Sequence, residues 1–358
     1  MNRLCSRLGV DVPIVLGPFG GLSSVSLTAL VSERGGLGSY GLYGYTPERI
    51  AATVAEVRAA TGRPFALNLW LPSDSPGPAD IGGEEFEAYV AALLPLYDEA
   101  GIAPPELPER FLPDFDEQLD AVIAARPGAV SFVYGVPSEE TVGRLHAIGA
   151  AVIGAATTVA EAVALEAGGV DAVVATGAEA AGHRVSFLRE PEASLVGTFA
   201  LVPQVVDAVR VPVVAAGGVG DRRGVAAAFA LGASGVQVGT AFLHTRQSAA
   251  PEAHRRVIPG TASEDIVLTR ALSGRLARGA GNRAIRHIES TGRIAPFPVQ
   301  NWLTARFRAE AARRDDPELL SLWMGQAAPL ARLDDAEAVF SELVAGLPGR
   351  SPGHTVEG

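Results

Sequence analysis

The sequence predicts a (β/α)8 barrel, the TIM-barrel fold, with a smaller second domain inserted near its end. Eight short apolar runs bounded by Gly or Pro recur along the first two thirds of the 358 residues, and Ala-rich helical stretches separate them. Several runs, such as residues 211–216, are apolar at nearly every position, which is typical of parallel strands covered on both faces. Eight such strand–helix units favour a closed barrel.

The eight predicted strands are Pro13–Gly17, Gly36–Ser39, Phe65–Leu71, Ala129–Tyr134, Ala151–Ala155, Ala172–Ala175, Pro212–Ala216 and Val236–Gly239. Helix starts follow several of them. Thr46 and Ser138 precede acidic first turns, Thr158 and Glu161 have capping-box spacing, and Asp221 follows a Gly-Gly-Val-Gly turn. These residues are favoured at helix N-termini because their side chains accept from the first free backbone N–H groups.

Residues 72–114 are longer than a strand–helix connection of a minimal (β/α)8 barrel requires, and we interpret them as an insertion. They hold eight prolines and ten acidic residues against one arginine, and Phe86, Val90 and Leu93 suggest a short helix. Because this insertion leaves the C-terminal end of the third strand, we expect it to cover the catalytic mouth as a lid or wall. The alternative is that the insertion is a surface loop without a role at the active site.

Residues 246–314 form a second addition, after the eighth strand. They carry thirteen arginines and five acidic residues, and we interpret them as a small basic second domain. The barrel then comprises residues 1–245 and 315–358, with the last helices, about 317–346, returning to it.

Composition excludes several function classes. The formal charge of −11 opposes binding to nucleic acid, and the absence of lysine excludes Schiff-base chemistry and a P-loop lysine. One cysteine, Cys5, and no Cys/His cluster leave no disulfide or metal site to propose. No signal peptide is evident, and the uncharged run Gly224–Leu243 is interpreted as a helix, a turn and a strand. We expect a cytoplasmic protein with a small-molecule partner and no membrane; a homo-oligomer stays open.

Two glycine-bearing loops predict a phosphate site. Residues 215–221 (Ala-Ala-Gly-Gly-Val-Gly-Asp) and 235–240 (Gly-Val-Gln-Val-Gly-Thr) follow or include the seventh and eighth strands, where barrels commonly bind phosphate through backbone N–H groups. Without lysine, this favours a bound cofactor or nucleotide. Residues 36–41 also satisfy G-x-G-x-x-G, but they lie in a predicted strand, so their glycines are better explained by tight packing.

His183 is the histidine at the end of a predicted strand, in Glu-Ala-Ala-Gly-His-Arg at 179–184. Active sites of this fold gather at the C-terminal ends of strands, and imidazole titrates near physiological pH. His183 is therefore the candidate acid, base or anion-binding group. His146 lies within a predicted helix and is interpreted as structural.

Taken together, these motifs resemble the FMN-dependent nitronate monooxygenases, formerly called 2-nitropropane dioxygenases, along nearly the whole chain. The matching segments are 13–18, 35–38, 64–69, 179–184, 217–218, 237–240, 269–283 and 323–326. The resemblance implies a catalytic role for His183. It also implies an FMN site formed by Asn68, Thr176, Gly182, Gly217, Gly218, Gln237, Val238, Gly239, Thr240 and Gln326.

The activity implied by the resemblance is oxidation of an alkyl nitronate, or of its parent nitroalkane, by flavin and dioxygen to a carbonyl compound and nitrite. The chain departs from the family pattern at Thr176, usually Gln, and at Ala181 and Val185, usually Gly, and it has Pro18-Phe19 in place of Pro-Met. These residues lie in or beside the motifs that carry the expected FMN and catalytic residues. An FMN-dependent enoyl-thioester reductase that uses NAD(P)H, and a flavin-binding barrel with little turnover, are the alternatives; a dehydrogenase of the inosine-phosphate type is excluded because Cys5 cannot supply its loop nucleophile.

Overall fold

The computed structural model describes residues 2–72 and 76–349. Residues 73–75 of the insertion, and residues 1 and 350–358 of the predicted barrel, lie outside the described residues. In chain order the strands are β1 (Ile14–Leu16), β2 (Gly38–Gly41), β3 (Phe65–Trp70), β4 (Ala129–Val133), β5 (Ala151–Ala156), β6 (Ala172–Thr176), β7 (Gly182–His183), β8 (Val213–Ala216), β9 (Gly235–Val238), β10 (Ile266–Thr269) and β11 (Ala277–Ala280).

Eight parallel strands form the barrel, in the order β1-β9-β8-β6-β5-β4-β3-β2. The sheet closes where Val15 pairs with Leu37 and the Leu16 N–H donates to the Leu37 carbonyl at 2.9 Å. Each predicted strand corresponds to one barrel strand, so the predicted fold class is confirmed. Because β7 has only two residues and joins another sheet, the seventh and eighth barrel strands are β8 and β9.

The helices are α1 (Arg3–Leu8), α2 (Val25–Glu33), α3 (Pro47–Ala60), α4 (Gly83–Ala100), α5 (Phe115–Ala125), α6 (Glu139–Ala147), α7 (Val159–Ala167), α8 (Thr198–Ala208), α9 (Arg222–Ala230), α10 (Thr240–Leu243), α11 (Glu252–Val257), α12 (Arg283–Ser290), α13 (Val299–Arg314) and α14 (Ala336–Val344). The predicted N-caps are confirmed: Thr46, Ser138 and Asp221 each accept from an early helix N–H, and Thr158 and Glu161 form a capping box. None of the helices in the described ranges is long and apolar enough to cross a membrane.

The glycines at 36–41 allow close packing, as the sequence indicates. A Cβ on Gly38 would lie 2.0 Å from the Thr28 carbonyl oxygen, and one on Gly36 would lie 2.7 Å from that of Ile14. Both separations are far below van der Waals contact. Glycine is therefore required where α2 and β1 meet this part of the barrel.

The insertion contains a longer helix than predicted. Instead of a short helix, α4 has 18 residues and buries Phe86, Leu93, Leu96 and Tyr97, because its apolar face continues past Pro95. The Tyr97 hydroxyl donates to the Leu303 carbonyl at 2.9 Å, so α4 packs on α13. The expectation of a short helix was wrong on this point.

The basic segment contains α11, β10, β11, α12 and α13. Its strand β11 pairs antiparallel with both β10 and β7, so it attaches directly to the loop that leaves β6. Of the expected last helices, only α14 is an α-helix of several turns; residues 317–335 contain 3-10 turns and coil with Pro317 and Pro329. The division into a barrel and a basic domain remains our proposal.

Candidate functional site

One cavity of about 500 Å³ opens at the C-terminal ends of the barrel strands. Most predicted site residues line it: Asn68, Thr176, Gly182, His183, Gly217, Gly218, Gln237, Gly239 and Thr240. Two do not. The Val238 side chain is fully buried in β9, and Gln326 lies behind the lining, where its N–H donates to the Glu179 carbonyl at 2.9 Å.

The two glycine-bearing loops present free backbone donors to this cavity. Gly217 and Gly218 have φ values of 98° and 74°, a left-handed conformation that glycine adopts without strain. Among the described residues, no protein group accepts from the N–H groups of Gly218 or Gly239. Thr240 begins α10, and no side chain caps that helix. Unpaired N–H groups of this kind fit an anion such as phosphate.

The strand ends approach each other closely beside these loops. A Cβ on Gly17 would lie 3.2 Å from Gly239 Cα, so a side chain there would crowd the barrel mouth. Asn68, only 3% exposed, donates through Nδ2 to the Ser131 carbonyl and hydroxyl at 3.1 and 3.0 Å. Its Oδ1 accepts from no described group and is therefore available as an acceptor for a ligand.

His183 is positioned by β7. Its Nε2 lies 2.9 Å from Ser273 Oγ, and its ring packs against Trp70 and Trp323 with centroid distances of 5.0 and 5.6 Å. Burial, with the nearby charges of Arg275 and Arg308, lowers the pKa of His183 to about 3. The imidazole is therefore uncharged at neutral pH.

The loop before His183 is held by buried arginines. Arg184, 1% exposed, donates to the carbonyls of Gly177 at 2.7 Å and Thr176 at 3.0 Å. Arg278 donates through Nε to the Ala178 carbonyl at 2.8 Å. These charge-assisted hydrogen bonds hold three consecutive carbonyls, those at the start of the loop that leads from β6 to Gly182 and His183.

Several functional candidates were missed by the sequence reasoning. Arg308 on α13 lines the cavity and donates to Ser321 Oγ at 3.1 Å and Asn301 Oδ1 at 2.7 Å. Across residues 2–72 and 76–349, no carboxylate forms an ion pair with it, and its Nε has no partner. Burial lowers its pKa to about 10, which keeps it cationic at neutral pH.

Tyr43 adds a neutral donor beside Arg308. Its hydroxyl accepts from Asn301 Nδ2 at 2.9 Å, and burial raises its pKa to about 12. The hydroxyl proton thus remains available to a ligand.

Among the lining residues that the sequence analysis missed, Trp70 was the one that the sequence could have indicated, because it lies two residues after Asn68 on β3. Nothing in the sequence indicated that α13 would bring Asn301 and Arg308 to the barrel mouth.

The insertion borders a second cavity, of about 440 Å³. Phe111 and Leu112 of the insertion line it together with Arg275, while the wall shared with the main cavity is formed by Tyr43 and Trp70. No described residue of 72–114 lines the main cavity. A role of the insertion at the substrate entrance stays a prediction.

The residues that depart from the family pattern all face the site. Thr176, Ala181, Val185 and Phe19 line the cavity. The shorter Thr176 side chain and the larger Val185 side chain therefore give the cavity a different surface from the one that the family pattern implies.

Similarity to known proteins identifies the family of this chain. The nitronate monooxygenase family model matches residues 2–347. The chain belongs to the nitronate monooxygenase family. A probable nitronate monooxygenase from Staphylococcus aureus (strain Newman) is 38% identical over 345 residues, 96% of each chain. Membership in this family makes the protein a flavin-dependent oxidoreductase.

Two solved structures are similar to this chain over nearly its whole length. The nitroalkane oxidase from Streptomyces ansochromogenes has a TM-score of 0.86 and 33% identity, with 96% of this chain and 97% of that chain covered. FabK from Thermotoga maritima is less similar, with a TM-score of 0.75 and 27% identity, covering 97% of this chain and 96% of that one.

Proposed function

We propose that this nitronate monooxygenase family member uses FMN and dioxygen to oxidise alkyl nitronates to a carbonyl compound and nitrite. The observation that carries the proposal is one cavity that combines unpaired N–H groups of two glycine-bearing loops with His183 and Arg308. The likeness to a nitroalkane oxidase supports the same class of substrate.

The residues present fit FMN. The N–H groups of Gly218, Gly239 and Thr240 would hold its single phosphate, and Asn68 Oδ1 would accept from the ring system. Thr176, Gly182, Gly217, Gln237, Val238 and Gln326 complete the site that we propose, Val238 and Gln326 from behind the lining. When bound, FMN accepts electrons from the substrate and passes them to dioxygen.

Within this site we assign proton abstraction to His183. Its pKa of about 3 opposes a cationic imidazole at neutral pH, so a role in holding the anion suits it less well. Arg308 can attract a nitronate, and the Tyr43 hydroxyl can donate to a nitro oxygen. When a neutral nitroalkane loses its α-proton to the imidazole, His183 becomes positively charged and is repelled by Arg275 and Arg308. The negative charge of the nitronate formed beside it offsets this repulsion.

The proposal is tested on the purified protein. We expect a yellow protein that releases FMN rather than FAD and forms nitrite from alkyl nitronates in air, with anaerobic bleaching of the flavin by the same substrates. Oxidation of NAD(P)H without a nitronate would favour the enoyl-thioester reductase. Bound flavin with neither activity would favour a binding barrel. A colourless protein that takes up no FMN in titration contradicts the proposal.

A further inference from the structure

Ser273 places a polar group against the His183 ring. It lies in the turn between β10 and β11, is 1% exposed, and places Oγ 2.9 Å from His183 Nε2. The pairing of β7 with β11, with His183 opposite Ala277, brings the turn to the histidine. Gly274 permits the turn: its φ is 82°, and a Cβ would lie 2.5 Å from the Phe297 nitrogen.

The hydrogen bonds of Ser273 limit where protons can lie. A serine hydroxyl has one proton to donate and two lone pairs that accept. Ser273 Oγ donates to the Arg275 carbonyl at 3.0 Å and accepts from the Arg275 N–H at 3.3 Å. With its proton on the carbonyl, Oγ can only accept from the imidazole, so Nε2 carries the histidine proton.

The other neutral tautomer satisfies fewer groups. If Nδ1 carried the proton, Ser273 would have to donate to Nε2 and its bond to the Arg275 carbonyl would be lost. Nδ1, in contrast, has no hydrogen-bond partner among the described protein groups, and His183 lines the cavity. A protein hydrogen bond contributes about 0.5–1.5 kcal/mol net, so keeping the bond from Ser273 to the Arg275 carbonyl favours the Nε2–H tautomer.

We infer that Ser273 is a positioning residue that fixes the neutral Nε2–H tautomer of His183 and leaves Nδ1 as the atom that takes the substrate α-proton. The inference rests on the proposed function for the identity of the proton donor. The proton transfer itself is balanced: the substrate C–H bond breaks, an Nδ1–H bond forms, the electron pair stays on the substrate as nitronate, and Nε2–H remains bonded to Ser273.

The tautomer can be measured without turnover. In the FMN-loaded protein labelled with ¹⁵N-histidine, the His183 signals are assigned by their loss in His183→Asn. We expect a protonated Nε2 and an unprotonated Nδ1 at neutral pH. In Ser273→Ala that pattern should give way to a mixed or reversed one, and in Ser273→Thr, which keeps the hydroxyl, it should persist. A protonated Nδ1 in the wild type, or an unchanged pattern in Ser273→Ala, overturns the inference.

Kinetics supply the second readout. Ser273→Ala should lower kcat for a neutral nitroalkane about tenfold to a hundredfold, the scale of a lost buried hydrogen bond, and should change kcat for the preformed nitronate by less than about threefold. Ser194→Ala is the matched control, because Ser194 is also buried and donates to a carbonyl, that of Glu190 at 3.1 Å, outside the cavity lining. Equal losses on both substrates would indicate a structural role and overturn the inference. If the protein oxidises neither substrate, the proposed function fails while the tautomer remains decided by the spectrum.

Discussion

Replacing Gly218 with Asp tests the phosphate site on which the FMN assignment depends. Gly218 has a φ of 74°, and a Cβ built on it would meet only the Glu179 Cβ at 3.9 Å. The side chain therefore has room, although the positive φ strains the backbone, and the expected damage to FMN binding itself is electrostatic. A carboxylate would be placed beside backbone N–H groups that the phosphate needs, and would repel the phosphate itself.

The size of the effect follows from two contributions. One charge-assisted hydrogen bond from the loop, worth about 1.5–3 kcal/mol, is lost. Two unit charges about 4 Å apart near a protein surface repel by about 4 kcal/mol. Even if the carboxylate rotates away and part of the repulsion is relieved, FMN binding is weakened by about 4 kcal/mol, which raises the FMN Kd about a thousandfold.

The assay is titration of apoprotein with FMN, followed by quenching of flavin fluorescence. Gly149→Asp is the matched control. Gly149 also has a positive φ, 80°, with no atom within 4 Å of a built Cβ, and it lies at the other end of the barrel, between α6 and β5. It carries the same backbone strain without a ligand nearby. A folded Gly218→Asp protein whose FMN Kd stays within tenfold of the wild type would refute the phosphate assignment.

Three further predictions follow from the site. His183→Asn should reduce nitroalkane oxidation by about 10²–10⁴-fold, the usual contribution of a positioned base, and nitronate oxidation much less at equal FMN content; equal losses would favour anion binding. His254 is 1% exposed, and burial lowers its pKa to about 4. The unfolded chain takes up a proton there below about pH 6.5, so stability present above that pH is lost on acidification, by about 2 kcal/mol between pH 7 and pH 5. Urea unfolding of His254→Asn should lack this part of the loss, and an unchanged pH dependence contradicts the assignment. Shortening the exposed loop 103–109 should change the KM for bulky nitronates more than FMN content; identical kinetics for small and large substrates would make the insertion a surface feature.

The sequence predicted the barrel because local signals and the global fold agree. Eight apolar runs became eight barrel strands, and Thr46, Ser138, Thr158 and Asp221 cap helices as their side-chain chemistry indicates. Asn68 and His183 line the cavity at the barrel mouth as expected, but His183 lies in β7, seven residues after β6 ends, and not at the end of a barrel strand. Capping and strand burial depend on neighbours in the chain or on a repeated unit, which is why they can be read from sequence.

The sequence alone thus determined the fold class, the glycine-bearing loops and the histidine at the site. Only the tertiary structure decided what surrounds that histidine. Ser273 and Arg308 lie 90 and 125 residues beyond His183 in the chain, and no periodicity links them to it. They reach the site because β11 pairs with β7 and α13 lines the cavity at the barrel mouth. The proton position on the imidazole and the charge of the cavity depend on these long-range contacts, since both are set by burial and by groups that are distant in sequence.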